Sequence, residues 1–175
     1  MPRPLTRATL EELALAYVAR FATSAAKVEQ YLRRKLRERG WDDERPAEPE
    51  AVVARFVALG YIDDAAWARA KRGGLRGRGY GARRVEQALG AAGIAEDVRA
   101  EVWAGEGATR RAALTLAARR RFGPWGGPPL ERDIAQKQIA AMLRAGHGFD
   151  AARAVIGASS IAEAEAWAAE AEDSS

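Results

Sequence analysis

A glycine recurs at a fixed interval along this chain, each time closing an apolar helical stripe. Leu36, Leu89 and Met142 are followed four residues later by Gly40, Gly93 and Gly146, so consecutive glycines stand 53 residues apart, in the strings KLRERGW, ALGAAGI and AMLRAGH. An apolar side chain one turn before a glycine marks the end of an amphipathic helix, because glycine enters the left-handed conformation past a helix end at no steric cost. Three such ends at one period predict a structural unit used three times, each copy burying its apolar face against its neighbour. The third copy is looser, since Ile139 and Leu143 fit the stripe better with one residue inserted in its GHGF turn.

Helical punctuation fills each interval. The spacing predicts a first helix with Thr9 as N-cap and Glu12 closing a capping box, running to about Phe21. Ser24 caps a second, striped by Val28, Tyr31, Leu32 and Leu36 and stopped by Gly40. After the loop WDDERPAEPE, a third carries Val52, Val53, Phe56 and Leu59 to Gly60. Asp63 caps a fourth through Ala66, Trp67 and Ala70, and Gly77, Gly79 and Gly81 break it. A fifth carries Val85, Ala88 and Leu89 to Gly93, a short sixth spans residues 95–103, and three more cover 108–121, 131–145 and 149–156. Hydrophobic content is 48% but rests largely on alanine, with aromatics at 7%, which favours close-packed helices over a strand-rich sandwich. The expectation is an all-α fold of three tandem three-helix repeats, residues 9–60, 61–105 and 106–156, forming an elongated, slightly curved body with a concave face. Residues 1–8 are expected to be disordered and 157–175 to form an acidic tail.

The net charge of +4 hides a division along the chain. Glu163, Glu165, Glu170, Glu172 and Asp173 lie after residue 156 with no Lys or Arg among them, so all 28 basic residues fall in residues 1–156. A basic body suits an anionic partner, either nucleic acid or an acidic protein groove, and the tail would shield it when that partner is absent. A solvated surface with a frayed end accounts for the same charges. With no cysteine, disulfides, thiolate metal sites and a catalytic thiol are excluded. The stretch MPRPLTRATLEEL lacks a signal-type apolar run, and nothing approaches the roughly 18 apolar residues of a spanning helix, so a cytoplasmic protein without membrane contact is expected.

No catalytic constellation emerges. Gly77, Gly79 and Ala82 imitate a degenerate dinucleotide fingerprint, but a helix precedes them where that mechanism needs a strand. They read better as a turn allowing two helices to approach closely. The single His147 follows a helix-ending glycine, a structural position, and cannot make a multi-histidine metal site. Asp63 and Asp64, like Asp42, Asp43 and Glu44, stand at helix starts, where carboxylates satisfy free N–H groups. No histidine is placed to activate Thr23, Ser24, Thr115, Ser159 or Ser160. A binding protein without cofactor or metal is expected. Trp41, Trp67 and Trp103 read as core anchors, and Trp125, in the loop RFGPWGGPPL, as the candidate for stacking on a base.

The strings LGYIDDAAWARA, 59–70, and GYGARRVEQALGAAGI, 79–94, resemble the RecX regulatory proteins. Gly60, Tyr61, Ile62, Asp63, Asp64, Ala68, Gly81, Arg84, Val85, Leu89, Gly93 and Ile94 match that family's central repeat, while Trp67 replaces its usual Phe or Tyr. The likeness covers about residues 10–156 and is most specific in the middle repeat; the proline-rich loop and acidic tail depart from it. It implies a modulator of the RecA recombinase, lodged along the groove of the filament on single-stranded DNA, where it hinders ATP hydrolysis and strand exchange; a monomer is expected. The stretch RGGLRGRGYGARRVEQ then presents charge on a helix-to-helix turn. Arg69, Arg72, Arg76, Arg78, Arg83 and Arg84 are expected as the main contact, with Arg33, Arg34 and Arg37 as a second patch, because the guanidinium fork pairs with carboxylate and phosphate alike. Tyr61, Asp63, Asp64, Trp67, Gly40, Gly93 and Gly146 are expected as scaffold, with Tyr61 packed at a repeat junction. Direct, sequence-independent DNA contact through arginine and phosphate is the alternative, and it predicts affinity that falls steeply with salt.

Overall fold

The structure, a computed structural model, describes residues 3–128 and 130–171. Among these the fold is all-α, with ten α-helices: α1 Arg7–Arg20, α2 Ala25–Arg39, α3 Pro49–Ala58, α4 Asp64–Gly77, α5 Ala82–Ala91, α6 Glu96–Glu101, α7 Gly105–Arg120, α8 Arg132–Arg144, α9 Phe149–Gly157 and α10 Ile161–Glu170, plus a 3-10 turn at Gly123–Gly126. They form two compact units, Met1–Arg69 with Gly90–Glu101, and Ala70–Leu89 with Val102–Ser175. The boundary falls within α4 and α5, so the middle stretch of sequence contributes to both.

In the first unit α1, α2 and α3 pack on one another around Leu5, Leu10, Ala14, Val28, Leu32, Val52, Val53, Phe56 and Ile62. Burying each of the larger side chains contributes about 1.5–3 kcal/mol, which is what holds three short helices together. Two expectations fail here. The N-cap of α1 is Thr6, and Thr9 occupies the third helical position: the Thr6 amide donates to Thr9 Oγ1 at 2.8 Å and the Thr9 amide to Thr6 Oγ1 at 3.4 Å. Nor are residues 3–8 disordered. Leu5 is fully buried, its amide donates to the Gly40 carbonyl at 2.9 Å, and its carbonyl accepts from the Asp42 amide at 2.8 Å.

The second unit gathers Ala113, Leu116, Ala117, Met142, Ala145, Ala152, Val155 and Ile156, with Tyr80, Phe122, Trp125, Ile139 and Trp167 packed against them. Trp125, expected as an exposed stacking residue, is therefore part of this core. Residues 161–170 of the expected acidic tail form α10, whose Ala164 and Ala168 are buried and which packs on α7 and α9. Ser160 starts it, accepting from the Glu163 amide at 3.1 Å. Arg110 of α7 lies 4.6 Å over the Trp167 ring and donates to the Trp167 carbonyl at 2.7 Å. Glu172 and Asp173 lie outside the described residues.

The 53-residue interval reappears as a repeated junction. In the first unit the Ser24 hydroxyl, at the start of α2, donates to the Ala92 carbonyl at 2.6 Å, and Gly93 lies against Ala26 so closely that a Cβ would overlap it. In the second, the Gly81 amide, at the start of α5, donates to the Ala145 carbonyl at 2.9 Å, the Arg83 amide donates to the Gly146 carbonyl at 3.1 Å, and a Cβ on Gly81 would overlap that carbonyl. Ala92 and Ala145, like Gly93 and Gly146, are one interval apart. Each glycine has positive φ, +71° and +93°, and closes its helix against the first turn of an earlier one. At Gly40, φ +80°, it is Leu5 that supplies the donor to the carbonyl.

Candidate protein and nucleic-acid interface

The arginines divide by how well carboxylates answer them. In the first unit Arg33 donates through Nε to Glu29 at 2.9 Å and is also paired with Glu50. Arg34 lies 3.7 Å from Glu38, and Arg69 reaches Glu101 at 3.1 Å. Arg37 is exposed on the same helix as Arg33 and Arg34, and the Lys35 hydrogen bond, helped by the Lys35, Arg34 and Arg37 charges, holds the Glu38 carboxyl below its ordinary value. Such exposed pairs contribute about 0–1 kcal/mol each, but they leave little uncompensated charge for a partner.

In the second unit Arg78, Arg83 and Arg84 are exposed, and among the described residues none of them forms an ion pair. They flank the Gly79 turn, where φ is +85° and a Cβ would come within 2.7 Å of the Leu116 amide nitrogen, so the helix-to-helix turn is open only to glycine. Tyr80 is half-buried against the second core, with the Arg78 guanidinium 5.6 Å and that of Arg84 5.9 Å from its ring centroid. Arg78 Nε also donates to the Gly74 carbonyl at 3.2 Å. A ring fixed by the core thus steadies two cations at the surface. Tyr80 was not picked out from the sequence, although it sits inside the arginine stretch.

Arg72 and Arg76 are half-buried. The Arg76 guanidinium lies 5.3 Å from the Trp103 ring centroid and donates through Nη2 to Thr109 Oγ1 at 3.3 Å, while its Nε and Nη1 are buried with no hydrogen-bond partner. Burial first, and then the Arg72 and Arg111 charges, lower its pKa from the ordinary arginine value, with Glu106 opposing. Trp103, expected as a core anchor, is 54% exposed.

The expected scaffold residues are placed as follows. Asp63 Oδ1 accepts from the Ala66 amide at 2.8 Å, the cap anticipated for α4, and Asp64 Oδ1 accepts from the Ala25 amide at 2.8 Å, joining the start of α4 to that of α2. Trp67 is half-buried beneath Lys27 Nζ at 4.9 Å. Tyr61 stands edge-on to Phe56 at 5.5 Å with 54% of its surface exposed, lining an open groove of about 380 Å³ with Leu15 and Leu59. His147 is fully buried one interval after the buried Ile94, and its Nε2–H donates to the Gly79 carbonyl at 2.8 Å. Burial lowers its pKa, only partly offset by that bond, so the ring is neutral and braces the arginine turn.

Among the described residues no three His, Cys, Asp or Glu side chains converge as a metal site, and no helix is long and apolar enough to cross a membrane.

No family model matches the chain. A protein of Myxococcus xanthus named Regulatory protein RecX is 33% identical over 167 residues, covering 89% of this chain and 88% of its own. A protein of the same name from Stenotrophomonas maltophilia is 38% identical over 120 residues, 68% of this chain and 69% of its own. The crystal structure of RecX from Lactobacillus salivarius shares the fold, with a TM-score of 0.65 at 18% identity over 86% of this chain and 94% of that one.

Proposed function

The chain belongs to the RecX family of regulatory proteins, and on that premise we propose that it binds the RecA filament on single-stranded DNA and restrains its ATP hydrolysis and strand exchange. It acts as a monomer in the cytoplasm, by binding and without catalysis of its own. The observation that carries this reading is the trio Arg78, Arg83 and Arg84, exposed around one turn with no carboxylate to answer them among the described residues. Like charges held this close repel one another, and an anionic partner removes that cost while the planar guanidinium fork adds bidentate bonds. A filament offers acidic side chains and phosphates together. Arg33, Arg34 and Arg69, already engaged by Glu29, Glu50, Glu38 and Glu101, contribute less, and Arg37 is a separate exposed cation of the first unit.

DNA-dependent ATP hydrolysis by the cognate RecA filament tests the proposal. Substoichiometric wild-type chain should suppress hydrolysis, and an Arg78→Ala, Arg83→Ala, Arg84→Ala variant that circular dichroism shows to be helical should need at least tenfold more protein for the same effect. Hydrolysis unaffected by saturating wild type sinks the reading, and direct DNA binding through the same arginines then takes its place.

A further inference from the structure

We propose that the groove between α1 and α3 docks a short apolar helix of a protein partner, one that carries a lysine or arginine to meet Glu12. The partner's identity rests on the filament reading: the helix belongs to the recombinase. One wall of this groove of about 380 Å³ comes from α1, where Ala8, Glu11, Glu12 and Leu15 stand at i, i+3, i+4 and i+7, a single helical face. Leu59 and Tyr61, just past the end of α3, line the other side with the buried Phe56. Leu15, Leu59 and Tyr61 are each at least half exposed. Scattered singly, such residues mean little; gathered on one groove they mark a surface that a partner covers.

Backbone and charge together select the occupant. No strand borders the groove among the described residues, so an extended chain finds no edge to pair with. A helix satisfies its own backbone and docks through side chains alone. Glu11 is already answered, because Arg55 grips both its oxygens, at 3.1 and 3.2 Å, and Arg7 lies 3.5 Å away. Glu12 is exposed and has no hydrogen bond or ion pair among the described residues. In a chain of net charge +4, the unanswered charge beside this apolar surface is therefore negative. It repels a phosphate strand and attracts a cationic side chain, which leaves an apolar helix with a basic residue as the occupant that fits.

The experiment uses the full chain with the cognate RecA filament on single-stranded DNA. A Leu15→Ser, Leu59→Ser variant, its fold checked by circular dichroism and urea midpoint, should need roughly 5- to 50-fold more protein for half-inhibition of ATP hydrolysis. That deficit should persist at raised salt, which screens charge but not apolar burial. Glu12→Arg should need about 2- to 10-fold more, with Glu12→Gln between it and wild type. Because the chain has no cysteine, Ala8→Cys carries a single benzophenone at one end of the groove. On irradiation it should attach to the recombinase, at a helical segment bearing lysine or arginine. Attachment to the DNA or to a second copy of the chain, or a folded serine variant that inhibits as wild type does, overturns the proposal and leaves the filament reading in place. Wild type that fails to inhibit overturns both.

Discussion

The Ser24 hydroxyl serves two helices at once: it accepts from the Lys27 amide at 3.4 Å as the N-cap of α2 and donates to the Ala92 carbonyl at 2.6 Å, 68 residues along the chain. Both groups of that second bond are buried, so Ser24→Ala removes a cap and strands a carbonyl away from water. The two losses together should cost about 2–3 kcal/mol. Urea unfolding followed by circular dichroism measures it, and a loss below about 0.5 kcal/mol contradicts this role.

His147 makes stability depend on pH. Its native pKa lies below the 6.5 of the free side chain because it is buried, so between those two values the unfolded chain binds a proton that the folded chain refuses. The contribution is fully present above pH 6.5, declines as pH falls below it, and levels off once the folded imidazole itself protonates. Urea midpoints for wild type and His147→Gln across pH 7.5 to 5 should converge towards acid, because glutamine does not titrate. Parallel curves would remove His147 as the cause.

Two glycines of α4 should be replaceable with profit. A Cβ at Gly73 or Gly74 meets nothing within 4 Å, and neither has positive φ. Gly73→Ala and Gly74→Ala should each raise stability by up to about 1 kcal/mol, through helix propensity and a less free unfolded chain. Gly81→Ala, which forces a Cβ into the Gly146 carbonyl, should instead lose about 2 kcal/mol or more. Thermal melts of the three variants should sort in that order.

If the C-terminal region were a solvated acidic tail, Trp167→Ala would be silent. Because Trp167 packs against the second core beneath Arg110, the substitution should cost about 2 kcal/mol, less than a fully buried tryptophan would. Hydrogen exchange should show the amides of α10 losing protection first.

The parts of the fold legible in the sequence were those decided within a few residues. Ser24, Asp63 and Gly40 mark helix ends by local hydrogen bonding and backbone freedom, and all three do so in the structure. The cap of α1 was misassigned because two threonines three apart offer overlapping frames, and only the buried Leu5 beside Thr6 decides between them. The tenth helix was legible in Ser160 and Glu163, a capping pair, but five carboxylates without a cation drew attention away from its alanine face. Long-range partners were not legible at all. Nothing near Asp64 says that it reaches Ala25, nothing near Arg69 says that Glu101 answers it, and the exchange of roles between Trp125 and Trp103 depends on which side of a helix the second core occupies.

The lone imidazole has one more consequence. Since His147 is the single histidine of 175 residues and is bonded to the Gly79 carbonyl, its ring protons give one isolated set of signals in an unlabelled NMR spectrum. A ligand that settles on the arginine turn should shift those signals through the Gly79 carbonyl, so the chain carries its own buried reporter beneath the turn where its partner is expected to bind.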